Sequence, residues 1–150
     1  MIEIRDMVVR LGKFTLRNFN LHIREGEYFV ILGPTGAGKT VILEAIAGLC
    51  RIRRGQIYIN GENATHMPPE QRRIAYVPQD YALFPFLDVR ENIRFGLKKS
   101  GQAPTETEQK IGQLAHMLGI SQLLDRQVGN LSGGEKQRVS LARALATSPR

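Results

Sequence analysis

The chain has 150 residues, 42% of them hydrophobic, and a formal net charge of +7. This length suits one domain with a substantial core and is too short for a second complete domain. A single cysteine, Cys50, excludes an internal disulfide framework and fits a reducing compartment. The N-terminus lacks the pattern of a secretory signal, and no apolar run approaches the roughly 18 residues of a membrane span. We therefore expect a cytoplasmic location.

The first third of the chain is predicted to be rich in β-structure. Strand patterns cover residues 2–9 and 14–23. Residues 28–32 form a continuous apolar run typical of a strand buried on both faces. Residues 41–47 then have helix-compatible spacing, and Gly48 is a typical C-terminal stop.

A glycine-rich loop lies between this apolar run and this helix, and it fills the pattern G-x-x-x-x-G-K-[ST]. The octapeptide is Gly33-Pro34-Thr35-Gly36-Ala37-Gly38-Lys39-Thr40. Glycines permit backbone conformations that let successive N–H groups converge on phosphate oxygens, and the following helix adds unpaired N–H groups and its dipole. Lys39 can reach the outer phosphates, and the Thr40 hydroxyl can ligate Mg²⁺. The loop therefore predicts a nucleoside triphosphate site, against the alternative of a glycine-rich turn with a solvated lysine.

The middle of the chain changes from strand patterns to helix patterns. Residues 56–59, followed by Asn60-Gly61, predict a strand and a hairpin, and residues 74–77 predict a second buried strand. From about Gln79 to Gly129 the pattern is predominantly helical.

Two helix starts are predicted within this helical segment. Asp88 with Glu91 resembles an N-cap and capping box that leads into a helix over residues 92–99. Thr105 with Glu108 predicts the start of another helix, which Gly119 ends after a polar break at residues 100–104.

A second glycine motif stands before a helix pattern at residues 139–145. Its sequence is Leu131-Ser132-Gly133-Gly134-Glu135. Alone, such a motif could be an ordinary N-cap, or its hydroxyl and glycines could form an anion site at a helix N-terminus.

With the P-loop upstream, the sequence closely resembles the nucleotide-binding subunits of ATP-binding-cassette (ABC) transporters over all 150 residues. The motifs occur in family order: the octapeptide, then Val77-Pro78-Gln79, then the signature at residues 131–135. The resemblance implies an α/β fold, a P-loop NTPase core with an N-terminal antiparallel β-subdomain and a helical subdomain. It implies a division into residues 1–78 (β-subdomain and P-loop core), 79–130 (helical subdomain) and 131–150 (signature and helix).

The resemblance also implies the cofactors ATP and Mg²⁺ and the roles of site residues. Lys39 and Gln79 are the expected catalytic residues, and Thr40 and Gln79 are the expected Mg²⁺ contacts. The expected in-trans contacts to ATP held by a second copy are Ser132, Gly133, Gly134 and Glu135.

The expected partners are that second copy, in a head-to-tail dimer around two ATP molecules, and integral membrane permease subunits. No nucleic acid partner is expected. The implied location is the inner face of the cell membrane, as a peripheral subunit.

The sequence departs from the family pattern in two respects. It stops at Arg150, before the family's acidic catalytic strand and switch histidine. We therefore expect a protein ending there to hydrolyse ATP negligibly and to aggregate. The full-length protein is expected to be an ATPase. Leu11 occupies the usual place of the aromatic residue that stacks on adenine. Phe14 could substitute, although its spacing favours a core residue, and base selectivity is therefore predicted to be weak.

The three histidines match no family position and are interpreted as surface or packing residues. They are His22, His66 and His116.

Three function classes remain open. The first is the energising subunit of an importer: residues 79–96 resemble importers of oxyanions, sugars, polyamines or metal ions, and residues 1–4 and 27–40 are similar to molybdate and tungstate importer subunits. The second is a soluble cassette ATPase acting on nucleic acid or ribosomes, for which the charge of +7 would help phosphate contacts. The third is a nucleotide-binding fragment without hydrolysis.

Overall fold

The computed structural model describes residues 1–97 and 103–149, which fall into two compact units, Met1–Arg72 and Arg73–Arg150. The first unit contains a β-sheet and one α-helix, and the second is helical. The predicted end of a helix at residues 98–99 lies outside the described residues, as does most of the predicted polar break. The three-part division of the chain stays a prediction.

The sheet of the first unit is antiparallel and has the strand order β2-β1-β3-β4. Its strands are β1 (Ile2–Leu11), β2 (Phe14–Ile23), β3 (Arg54–Ile59) and β4 (Glu62–Asn63). The β3–β4 turn is the predicted Asn60-Gly61 pair, and both residues have positive φ, 51° and 81°. Two such residues match the right-handed twist of a hairpin, so the predicted hairpin is confirmed.

A β-bulge in β1 explains how its buried side chains share a face. Ile4 and Met7 are both buried, although their odd spacing would place them on opposite faces of a regular strand. The register shifts between them, where Asp6 has a φ of 46°. An ideal Cβ at Gly55 would lie 2.5 Å from the Arg5 carbonyl oxygen and 2.6 Å from that of Asp6. The bulge therefore requires glycine at this position of β3.

Four α-helices and three 3₁₀ turns complete the described elements. The α-helices are α1 (Lys39–Ala47), α2 (Val89–Leu97), α3 (Pro104–Met117) and α4 (Gly133–Ala146). The 3₁₀ turns are Pro69–Gln71, Ser121–Leu123 and Val128–Asn130. Within the described ranges, no helix is both long enough and apolar enough to cross a membrane.

The two predicted glycine stops are confirmed by the same hydrogen-bond pattern. Gly48 has a φ of 82°, and the N–H of Leu49 donates to the Glu44 carbonyl at 2.8 Å. Gly119 has a φ of 64°, and the N–H of Ile120 donates to the Ala115 carbonyl at 2.9 Å. Both are Schellman endings, in which a left-handed glycine lets the chain return to satisfy the last carbonyls.

The two predicted helix starts have different outcomes. The N–H of Glu91 donates to Asp88 Oδ1 at 2.7 Å, which confirms the cap, although α2 begins at Val89 rather than residue 92. The Thr105 cap is wrong, because α3 begins at Pro104 and its N-cap is Ala103. Proline is preorganised for the first helical position, so it sets the start without a side-chain cap.

The two predicted buried strands are wrong. Residues 28–32 and 74–77 adopt no strand pairing in the described part of the chain, and Tyr28 and Leu32 are 93% and 87% exposed. Residues 74–77 are only partly buried. An apolar run becomes a buried strand only when another strand pairs with it and other side chains cover it.

The second unit has one hydrophobic core, shared by its three α-helices and the two short turns between α3 and α4. Its members are Val89, Ile93, Leu97, Ile111, Leu114, Ala115, Ile120, Leu123, Val128, Leu131, Val139, Ala142 and Ala146. On the surface, Arg90 joins Glu108 of α3 at 2.9 Å and Asp125 at 3.0 Å. This core holds α4, and with it the signature motif, against α2.

Candidate nucleotide-binding site

The predicted P-loop is an exposed, glycine-bent loop that runs directly into α1. Residues 33–37 are exposed, and Gly36 and Gly38 have φ values of 83° and 91°. An ideal Cβ at Gly38 would lie 2.5 Å from Cζ of Phe14. Gly38 is therefore required both by its backbone conformation and by the close approach of that ring.

Lys39 folds back over its own loop. Its ammonium donates to the Gly33 carbonyl at 2.6 Å and to the Pro34 carbonyl at 2.8 Å. These bonds place a positive charge on the loop, in which the Ala37 N–H donates to the Pro34 carbonyl at 3.2 Å. Thr40 lies exposed in the first turn of α1. The octapeptide thus gathers a cation, a hydroxyl and main-chain donors on one surface, which suits a polyphosphate with its metal ion.

The N-terminus of α1 has no side-chain cap, in contrast to that of α4. Gly38 is the N-cap of α1 and has no side-chain acceptor to offer. The first N–H groups of a helix have no intrahelical partner, so at α1 they stay available to an external anion. The loop shape, the lysine and the free donors all fit a bound phosphate chain.

The other end of α1 is held by Arg72, a residue that the sequence analysis missed. Arg72 is 6% exposed, and its guanidinium donates to the carbonyls of Ala45 at 2.7 Å, Ile46 at 2.9 Å and Met67 at 2.8 Å. Burial lowers the pKa of Arg72, although an arginine stays charged at neutral pH. The positive charge at this end complements the helix dipole. A cavity of about 600 Å³ lies beside Arg72.

The two candidate adenine contacts lie at the β1–β2 hairpin. Leu11 and Phe14 pair across it, and Leu11 is 43% exposed. Phe14 is half-buried with its ring against Gly38 of the P-loop. Their roles toward adenine stay predictions. The histidines at positions 22, 66 and 116 are exposed.

Gln79 lies exposed in a tight turn of the second unit. The N–H of Tyr81 donates to the Pro78 carbonyl at 3.1 Å, which closes the turn around Gln79. The next two residues, Tyr81 and Ala82, have φ values of 64° and 44°. A non-glycine residue in this left-handed region costs about 1–2 kcal/mol, so the surrounding structure must hold the pair in place.

The signature motif is the N-terminus of α4, and its serine and glutamate form a capping box. The N–H of Ser132 donates to Glu135 Oε2 at 2.7 Å, and the N–H of Glu135 donates to Ser132 Oγ at 3.4 Å. The Ser132 hydroxyl also donates to Glu135 Oε2, at 2.7 Å, and these bonds lower the pKa of Glu135. The helix begins at Gly133, earlier than the predicted pattern at residues 139–145. The N-cap reading is therefore confirmed, and the in-trans contact stays a prediction.

Comparison with known proteins places the chain in a family. The ABC transporter family matches residues 16–150. The molybdate/tungstate import ATP-binding protein WtpC of Thermococcus kodakarensis is 52% identical over 137 residues, which cover 91% of this chain and 42% of that protein. WtpC of Archaeoglobus fulgidus is 51% identical over 142 residues, which cover 94% and 57%. The spermidine/putrescine import protein PotA of Roseobacter denitrificans is 43% identical over 150 residues, which cover 99% and 41%.

Solved structures agree with this placement. The ATP-binding cassette MJ0796, in a dimeric post-hydrolysis state bound to ADP and Pi, has a TM-score of 0.88 and 29% identity, covering 99% of this chain and 71% of that one. The glycine-bent loop and the uncapped helix N-terminus define a P-loop nucleotide-binding protein. The chain belongs to the ABC transporter family, and the predicted α/β cassette fold is confirmed. It spans about 42% of the length of the WtpC protein of T. kodakarensis.

Proposed function

We propose that this chain is the ATP-binding part of a subunit that powers an ABC importer through binding and hydrolysis of Mg-ATP. The observation that carries the proposal is the P-loop itself. Its two left-handed glycines, folded-back lysine and uncapped helix present several donors and a positive charge on one exposed surface. A polyphosphate matches such a surface in charge and in hydrogen-bonding capacity.

The residues of the P-loop have distinct roles in this proposal. The main-chain N–H groups of the loop and of the first turn of α1 bind the phosphate oxygens. Lys39 neutralises charge on the outer phosphates, and the Thr40 hydroxyl with the Gln79 side chain holds Mg²⁺. Mg-ATP, when bound, supplies the phosphoanhydride bond whose hydrolysis drives transport. These residues position and stabilise charge, which is most of what a protein contributes to phosphoryl transfer.

A second copy of the protein is proposed to complete each ATP site. The MJ0796 cassette is described as dimeric, in a state bound to ADP and Pi. In the proposal, Ser132, Gly133, Gly134 and Glu135 contact ATP bound to the partner copy. Nucleotide-dependent closing and opening of the dimer then follow from the different affinities of the two states for ATP.

The proposed location is the inner face of the cell membrane, against permease subunits, and the proposed cargo is molybdate or tungstate. The cargo assignment is supported by the WtpC proteins, which are 46–52% identical to this chain, whereas the PotA protein is 43% identical. An ATP-binding subunit need not touch the cargo, so the cargo requires its own test.

The nucleotide site can be tested by titration of the complete protein with a fluorescent ATP analogue, together with an assay of phosphate release. We expect Lys39→Ala to weaken binding at least about tenfold and to abolish turnover, because the outer phosphates lose their cation. Lys110→Ala is the control, since Lys110 lies in α3 and its ammonium contacts Ser148 at 2.6 Å. Equal behaviour of the two variants would refute the site.

The dimer and the transport role need separate experiments. Ser132→Arg should leave ATP binding by the monomer nearly intact and block ATP-driven dimerisation; equal loss of both would indicate a local structural role. Co-purification with membrane permease subunits and molybdate- or tungstate-dependent uptake would support the importer. Salt-sensitive RNA binding without such subunits would favour the soluble class of cassette ATPase.

A further inference from the structure

The turn between β1 and β2 brings the aromatic ring of Phe14 to the P-loop. Two residues separate the strands, and the first of them, Gly12, has a φ of 56°, which suits a tight hairpin turn. Phe14 and Leu16 are half-buried, whereas Thr15 between them is exposed. Because side chains alternate along a strand, the Phe14 ring lies on the covered face of β2. The sheet therefore sets the position of this ring.

The tip of the Phe14 ring touches Gly38, where the P-loop ends. An ideal Cβ on Gly38 would lie 2.5 Å from Cζ, 3.1 Å from Cε1 and 3.5 Å from Cε2 of that ring. Since a Cβ lies about 1.5 Å from its Cα, Cζ is at most about 4 Å from the Gly38 Cα, which is van der Waals contact. Gly36 is also left-handed, but among the described residues no atom lies within 4 Å of its ideal Cβ. The ring thus contacts the loop at the glycine that begins the helix.

The backbone angles of Gly38 decide where the first donors of α1 point. Gly38 is the N-cap, with a φ of 91° and a ψ of 15°, whereas an N-cap residue usually has an extended backbone. Its carbonyl accepts from the Ile42 N–H at 3.0 Å, and the N–H groups of Lys39 and Thr40 follow it directly. A glycine populates several backbone regions about equally, so Gly38 does not hold this conformation by itself.

The Phe14 ring supplies the missing restraint. Another backbone conformation at Gly38 would drive main-chain atoms into the ring or open a gap beneath its tip, and close-packed contacts oppose both. We propose that Phe14 is a positioning residue for the P-loop, which holds Gly38 left-handed and so sets the affinity for the phosphate chain and not the choice of base. The inference rests on the proposed function in one respect, the binding of phosphate oxygens by the main-chain N–H groups that follow Gly38.

This role and a role as an adenine contact make opposite demands on the para position of the ring. A ring that stacks on a base uses its face, and tyrosine stacks as phenylalanine does. The Cζ atom is the ring atom nearest to Gly38, so a hydroxyl added there would extend toward the Gly38 main chain. Phe14→Tyr is therefore an overpacking substitution if Phe14 positions the loop, and a conservative one if Phe14 contacts adenine.

The binding test uses the complete protein, titrated with Mg-ATP and with inorganic tripolyphosphate and Mg²⁺, which has no base. We expect Phe14→Tyr to weaken the binding of both ligands by a similar factor, at least about fivefold. Phe14→Leu, which removes the ring tip, should weaken both by about threefold. A loss confined to ATP, with wild-type binding of tripolyphosphate, would overturn the proposal in favour of a base contact.

Phe19→Tyr is the matched control. Phe19 is another half-buried phenylalanine of β2, and the three atoms nearest to the ideal Cβ of Gly38 all belong to Phe14. The control receives the same hydroxyl and should bind tripolyphosphate as the wild type does. Circular dichroism gives the folded fraction of each variant. Equal affinity in the Phe14→Tyr and Phe19→Tyr variants, or a loss that matches the unfolded fraction, would refute the positioning role.

Hydrogen exchange tests the contact without any ligand. The Ile42 amide is bonded to the Gly38 carbonyl, so its protection reports on the placement of Gly38. Phe14→Leu should speed exchange of the Ile42 amide at least about threefold relative to the Ile46 amide, one turn further along α1. An unchanged ratio of the two exchange rates would show that Phe14 does not hold Gly38.

The two measurements separate failure of this inference from failure of the proposed function. Absence of ATP and tripolyphosphate binding in the wild type would refute the proposed function, and the exchange ratio would still decide whether Phe14 holds Gly38. Normal wild-type binding with an unaffected Phe14→Tyr variant would refute the positioning role alone. Should Phe14→Tyr fail to fold, Phe14→Leu decides, since it adds no atom toward Gly38.

Discussion

Replacement of Arg72 should destabilise the protein far more than replacement of any neighbouring surface arginine. Arg72→Ala removes the guanidinium donors to the carbonyls of Ala45, Ile46 and Met67, although the Ala45 carbonyl still accepts from the Gly48 N–H at 3.2 Å. Hydrogen bonds to a charged group contribute about 1.5–3 kcal/mol each, and water entering from the adjacent cavity would replace part of that. We therefore expect the free energy of unfolding to fall by about 3 kcal/mol, and by roughly half as much for Arg72→Lys.

Urea unfolding of the complete protein, followed by circular dichroism, measures this difference. Arg51→Ala is the matched control: it removes the same charge from the same cavity wall, but from an exposed side chain, and should change stability by at most about 0.5 kcal/mol. The slope of the transition should be similar in both variants, so that midpoints can be compared. Equal stability of the Arg72→Ala and Arg51→Ala variants would refute the assigned role of Arg72.

Three further predictions concern single positions. Gly38→Ala should weaken nucleotide binding at least about tenfold in a titration, because its φ of 91° is strained for alanine. The control is Gly112→Ala on α3, where an added Cβ would meet open space, and this variant should bind the nucleotide normally. Asn92→Ala should lower the free energy of unfolding by about 2–4 kcal/mol, because the buried Asn92 amide bonds to the main chain of residues 84–88. A loss below about 1 kcal/mol would show that these bonds do not hold that loop. The pKa of Glu135 is lowered in the folded protein, so its capping box stabilises the fold fully above the unfolded pKa of about 4.3. This stabilisation is lost as the pH falls through the folded pKa. An NMR titration midpoint of Glu135 at or above about 4.3 would contradict the prediction.

Most features that depend on nearby residues could be predicted from the sequence, and the Thr105 cap is the exception, because Pro104 sets the helix start instead. Gly48, Gly119 and Asp88 each act within a few positions of the chain, and the structure confirms all three. The P-loop is local in the same sense, because its glycines, lysine and helix start are consecutive. The conformation of such a segment follows largely from its own residue types.

Features that depend on distant partners could not be predicted. The Arg72 guanidinium donates to a carbonyl 27 residues away, and Arg143 donates to one 61 residues away. No spacing rule connects residues at such separations. The apolar pattern of residues 28–32 predicts a buried strand, but the pattern does not specify which strand would pair with these residues or which side chains would cover them. The bulge at Asp6 likewise depends on Gly55 in another strand.

The Lys39 side chain also has a structural task inside its own loop. Its ammonium ties together two successive carbonyls, those of Gly33 and Pro34, at the point where the chain turns toward α1. Replacing it with alanine therefore removes an internal brace of the loop as well as a phosphate contact. Weaker nucleotide binding by that variant would combine both losses, so lysine substitutions in this loop report on its architecture as much as on its charge.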